Sequence, residues 1–223
     1  MSSLIAYSNN NQFVIATDTF VHSKDDNRIQ PINFCCKTIY LPHHKSCVAG
    51  QGIGEVLNQF FLFVQQKVIA KDIYSLITQT TKHFKFNLDQ NIEGDIIATL
   101  FVFGVNDLTN KLEVYKMSIL KSNIHRQEQI EFGLLHKPEI FGIEGILDKA
   151  RNQDIGQVLA TLMKEQKKQD DLKPVYDKAG IGGQIQITTM IYNDTSKDLF
   201  LQIRMVDCFE DYEDIYYAML NGT

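Results

Sequence analysis

The spacing of apolar residues along this chain switches between the strand period of two and the helical period of 3.6, and that succession restricts the folds open to it. Alternation over residues 3–8 and 12–18 predicts two strands, joined at Asn9-Asn10-Asn11, where Asn tolerates the positive φ of a tight turn. Residues 19–33 are polar and turn-rich (Ser23-Lys24-Asp25-Asp26-Asn27) and read as a loop. A second strand pair is expected at 34–41 and 45–50, turning at Pro42-His43-His44. The period then changes. Val56, Leu57, Phe60, Phe61, Val64 and Val68 recur at helical spacing between Gly54 and Ala70, and a second helix is expected over 72–88 with Asp72 as its N-cap. Strands follow at 95–105, 111–120 and 127–133, then helices at 138–151 and 153–169, then strands at 184–192 and 199–204. The tail 208–220 gathers Phe209, Tyr212, Ile215, Tyr216 and Met219 on one helical face. Every apolar face in this order is buried if two antiparallel sheets face each other with helices outside each. The expected fold class is therefore α+β, a four-layer αββα sandwich. Four prolines and no Pro/Gly/Ser-rich stretch give no sign of a boundary, so one domain is expected over 1–223.

Charge and composition exclude several functions. A formal charge of −5 and a pI near 5.7 oppose binding to nucleic acid or to an anionic membrane. No apolar run reaches the roughly 20 residues of a membrane span. The run Phe60 to Val64 is bounded by Gln59, Gln65, Gln66 and Lys67. The first residues lack the basic-then-apolar order of a signal peptide. Cys35, Cys36, Cys47 and Cys208 match no zinc spacing and no secreted disulfide framework, so reduced thiols and a cytoplasmic location are expected. His43-His44 reads as a solvated turn rather than a metal site. Gly50-Gln51-Gly52-Ile53-Gly54 lacks the Lys-Ser/Thr of a phosphate loop. No cofactor and no metal are expected.

Four residues stand where chemistry could gather. Ser2 is the first residue left if Met1 is removed, Asp18 ends the second strand, Lys37 opens Lys37-Thr38-Ile39-Tyr40-Leu41, and Gly50 ends Ser46-Cys47-Val48-Ala49-Gly50. A terminal nucleophile, an acid, a cation and an exposed backbone N–H are the parts of an acyl-transfer site. An α-amine has an ordinary pKa of about 7.7–8, so on Ser2 it can take the hydroxyl's proton near neutral pH.

This order of residues resembles the proteasome-like branch of the N-terminal nucleophile hydrolases, proteasome β-type subunits and their bacterial relatives among them. The resemblance is carried by Ser2, Asp18, Cys36-Lys37-Thr38-Ile39-Tyr40-Leu41 and Val48-Ala49-Gly50-Gln51-Gly52, and further on by Tyr176-Asp177-Lys178-Ala179-Gly180-Ile181-Gly182-Gly183. It implies an amide or peptide hydrolase in which Ser2 is the nucleophile, Lys37 tunes its pKa, Asp18 holds Lys37, Gly50 meets the oxyanion and Asp177 supports the site. It also implies a homo-oligomer, a ring or stacked assembly with contacts through the first long helix, acting on a peptide or small amide. The chain departs from the family pattern in two places. Gly142-Ile143-Glu144-Gly145 stands where the family has Gly-Ser-Gly, and Gly180 stands where the aspartate segment has a serine. Those missing hydroxyls leave a second reading, a non-catalytic structural or binding subunit.

Overall fold

The computed structural model describes residues 3–24, 28–87, 95–123, 125–131, 133–149 and 153–221. In chain order the strands are β1 (Leu4–Ser8), β2 (Gln12–Asp18), β3 (Phe20–Lys24), β4 (Ile29–Phe34), β5 (Thr38–Leu41) and β6 (Ser46–Gly52). Helices α1 (Gly54–Lys67) and α2 (Ile73–His83) follow, then β7 (Ile96–Asn106), β8 (Lys111–Leu120), β9 (His125–Gln129) and β10 (Gly133–Lys137). The chain continues through α3 (Ile143–Lys149), α4 (Ile155–Asp171), β11 (Gln184–Asn193), β12 (Asp198–Cys208) and α5 (Tyr212–Leu220). One sheet has the order β10-β1-β2-β11-β12, another β5-β6-β7-β8-β9, and β3-β4 forms a separate ribbon. All the pairings are antiparallel.

Local chemistry fixes the ends of these elements. Asn9 Oδ1 accepts from the N–H groups of Asn11 (3.0 Å) and Gln12 (2.9 Å), which closes the β1–β2 turn. Asp72 caps α2 as expected. Its side chain accepts from Ser75 N (2.9 Å), while Ser75 Oγ accepts from Asp72 N (3.2 Å).

Strand alternation sorts the core into three clusters. Val14 and Ala16 of β2 pack with Leu159, Leu162 and Met163 of α4. Their neighbours Phe13 and Ile15 join Leu4 and Met190 against Cys47, Ala49, Phe101 and Phe103 of the other five-stranded sheet. Val48, Leu100, Val102 and Met117 of that second sheet pack under Val56, Phe60, Val64, Leu76 and Ile77 of α1 and α2. Each fully buried side chain of this size contributes roughly 1.5–3 kcal/mol.

Three segments differ from the reading of the sequence. Residues 19–33, expected to be a loop, contain β3 and most of β4. Phe20 pairs with Phe34, their rings 6.0 Å apart, and Phe34 meets Tyr212 at 5.1 Å. Aromatic contacts across a short ribbon outweigh its polar composition. The single strand expected over 127–133 is replaced by β9, which pairs with β8, and by β10, which pairs with β1 at the edge of the other sheet, and the helix expected over 138–151 begins only at Ile143.

Candidate functional site

The β1–β2 register sets Ser3 against the end of β2, and this brings the first charged group into place. Asp18 is fully buried, and its Oδ1 accepts from Ser3 N (2.9 Å) and from Lys37 Nζ (2.8 Å). Its Oδ2 accepts from Gly182 N at 3.4 Å. Lys37 lies just before β5, only 7% exposed, and also donates to Phe20 O at 2.7 Å. Burial pushes the Asp18 carboxyl above its ordinary range, while the Lys37 ammonium and the N–H groups of Ser3 and Gly182 work to keep it charged.

A glycine-rich segment supports this pair. Phe20 N donates to Gly182 O (3.2 Å), Thr19 N to Gln184 O (3.1 Å), and Gln184 N to Thr19 Oγ1 (2.8 Å). Gly180 has φ +70°, and a Cβ there would stand 2.4 Å from the ring of His22. The carboxylate of Asp170, buried in α4, accepts from Ala179 N (2.7 Å) and Gly180 N (2.9 Å). One turn earlier, the buried Gln166 accepts from Ser3 Oγ and donates to Pro138 O. His22 stacks on Phe20 with ring centroids 5.5 Å apart. Burial pushes its pKa down to about 4, and the ammoniums of Lys37 and Lys24 add to that effect.

Lys37 opens onto a cleft of about 370 Å³ bordered by His22, Cys36, Gly50, Gly52, Leu57 and Phe61. A buried ammonium at the edge of a largely apolar cleft can stabilise negative charge developing on a bound substrate, because little water screens it there.

Of the residues singled out from the sequence, Asp18 and Lys37 are in direct contact. Ser2 lies outside the described residues. Gly50 borders the cleft, but its N–H donates to Lys37 O at 3.1 Å and is already committed to a strand-like bond. Asp177 is exposed in the short 3₁₀ turn Val175–Asp177 and, among the described residues, has no hydrogen bond to Asp18 or Lys37. Gln166 accepts from Ser3 Oγ, and Asp170 accepts from the N–H groups of Ala179 and Gly180. Gln166 continues the apolar stripe of α4 (Leu159, Leu162, Met163) at helical spacing, whereas Asp170 lies past the end of the helix expected over 153–169. His22 was hidden by reading 19–33 as a loop.

An α+β chain with two antiparallel sheets and this element order has the fold of a proteasome-like β-subunit. No family model and no curated protein sequence matches it. Among solved structures it is similar to an Anbu (Gly-1) mutant from Hyphomicrobium sp. strain MC1, with TM-score 0.56 and 12% identity, covering 100% of this chain and 94% of that one. It is also similar to Anbu, described as an ancestral beta-subunit, from Yersinia bercovieri, with TM-score 0.52 and 10% identity over 100% of this chain and 94% of that one. A third match is to the helical assembly of the Anbu complex from Pseudomonas aeruginosa, with TM-score 0.50 and 14% identity over 99% of this chain and 93% of that one. These findings correct the resemblance drawn from the sequence. The neighbours are Anbu proteins, a proteasome-related but distinct family described as ancestral beta-subunit, and likeness to them does not establish an N-terminal nucleophile hydrolase of the proteasome β type. The physical reason is that a few matched residues define a local pattern, whereas a fold hosts many chemistries. Among the described residues, no helix is long and apolar enough to cross a membrane, and no group of three or more His, Cys, Asp and Glu is gathered to hold a metal.

Proposed function

We propose that this chain hydrolyses amide or peptide bonds at a site built on the Asp18–Lys37 pair, with Ser2, freed of Met1, as the nucleophile. The observation that carries this reading is that Asp18 Oδ1 holds both the Ser3 amide, at 2.9 Å, and the Lys37 ammonium, at 2.8 Å. Peptide connectivity makes Ser2 the residue on the other side of that anchored amide. In the proposed reaction, the Ser2 α-amine takes the proton of its own hydroxyl as the oxygen attacks the substrate carbonyl. The ammonium of Lys37 favours the neutral amine and the developing alkoxide. The C–N bond then breaks, the leaving amine takes the proton, and water releases the acyl group from Ser2. The Gly50 N–H is engaged with Lys37 O, so we assign the oxyanion contact to Gly52. Strand alternation turns the Gly52 N–H to the same side as that of Gly50, beyond the start of β5, and Gly52 borders the cleft.

The wider reading is a cytoplasmic, self-associating protein of one domain. The three core clusters support four layers, with helices outside each of two facing sheets. The neighbour from Pseudomonas aeruginosa, described as a helical assembly, supports self-association. The second reading, a non-catalytic subunit, is favoured by the engaged Gly50 N–H and by the missing hydroxyl in Gly142-Ile143-Glu144-Gly145. A fluorogenic peptide library separates the two. Turnover lost in Ser2→Ala supports hydrolysis, whereas no turnover by the Met-free protein, or turnover unchanged in Ser2→Ala, supports the scaffold.

A further inference from the structure

We propose that the free edge of β12 is a two-fold interface with a second copy of this chain, formed by antiparallel pairing centred on Leu201. This inference is independent of the hydrolase reading. The strand closes one side of its sheet and pairs only with β11 among the described residues, so its outer N–H and C=O groups have no strand beside them. It is long, with Asp198–Cys208 in strand conformation, and contains no Pro and no Lys. Phe200 is 55% exposed, Ile203 43% and Met205 49%, so apolar surface is open on both faces. From Asp198 to Met205, ahead of a β-bulge at Val206, the edge is regular and more than half apolar, and its two charges are of opposite sign, so it is open to another strand that matches them.

The charge pattern selects the partner and the register. In antiparallel self-pairing, the residues opposite each other must direct their backbone groups the same way, so their numbers differ by an even count. Over the regular part of β12, Asp198 to Met205, this allows only one register that sets opposite charges face to face; Asp207 lies past a β-bulge at Val206 and already pairs with Lys164 Nζ. Centring on Leu201 places Asp198 of each copy against Arg204 of the other, twice by symmetry. The same register sets Leu199 against Ile203 and Leu201 against Leu201 on the opposite face, which closes an apolar ladder across the seam. Phe200 then lies opposite Gln202 and diagonal to the Phe200 of the second copy. Centring on Gln202 instead would set Asp198 against Val206 and Arg204 against Phe200, leaving both charges without a partner in the strand. Arg204 already donates to Asp154 Oδ2 at 3.0 Å, but a guanidinium carries five N–H donors and can hold a second carboxylate.

Sedimentation velocity on the whole protein tests the register by charge exchange. The wild type is expected to self-associate. Asp198→Arg and Arg204→Asp, each setting like charges opposite one another, are expected to weaken association by about tenfold or more. The double variant Asp198→Arg/Arg204→Asp restores the pairing and is expected to recover it. Circular dichroism confirms that each exposed substitution leaves the fold intact. A monomeric wild type, single variants that associate as tightly as wild type, or a double variant no better than the singles would each overturn the proposal.

Discussion

Lys37 and Asp18 hold each other in a place that neither would occupy alone. Replacing Lys37 with Met leaves a fully buried carboxylate without its cation, and the expected loss of stability is about 3–5 kcal/mol in urea unfolding. The double variant Lys37→Met/Asp18→Asn is expected to lose less, because Asn accepts from Ser3 N without stranding a charge. A double variant as unstable as Lys37→Met would show that the charge is not the cause. His22 gives the site its acid sensitivity. Its folded pKa of about 4 lies below the ordinary 6.5, so protonation favours the unfolded chain. The stability this group contributes is complete above pH 6.5 and falls as the pH drops from 6.5 toward 4. Equilibrium unfolding across that window should show a smaller acid loss in His22→Phe than in wild type. Equal slopes would remove His22 from the account.

At the scale of elements, what was legible depended on whether periodicity or contact decided the structure. Helices α1 and α2 each bury one face, so the spacing of Phe60 and Val64 revealed them, while β2 buries both faces and was legible as the short apolar run Phe13 to Ala16 beside a turn. Asp72 was legible as a cap because it directly precedes the helical spacing. Asp72→Ala is expected to cost about 1–2 kcal/mol and to speed hydrogen exchange in the first turn of α2. Unchanged exchange there would contradict the capping role. The β3–β4 ribbon was not legible, since contacts distant in sequence, such as Phe34 with Tyr212, decide it rather than its own pattern. Asp170 was missed for the same kind of reason. Its partners, Ala179 and Gly180, follow the end of its helix and are brought back only by the fold.

At the scale of the molecule, the two sheets bring the end of β2, the segment before β5 and the 179–184 stretch to one place, which no local pattern contains. Sequence reading reached the Asp18–Lys37 pair through the resemblance carried by Asp18 and Cys36-Lys37-Thr38-Ile39-Tyr40-Leu41. It did not show that Asp177 stands apart from that pair, because a sequence match gives order without distance. The Asp18–Lys37 pair anchors the residue after Ser2, and that links the fold to the proposed chemistry. The most direct test treats Met-free protein with a serine-reactive acylating probe and maps the adduct by mass spectrometry. The account predicts one adduct, on Ser2, which is absent from protein that retains Met1. No adduct on Ser2 in the Met-free protein, or equal labelling in both forms, would contradict it.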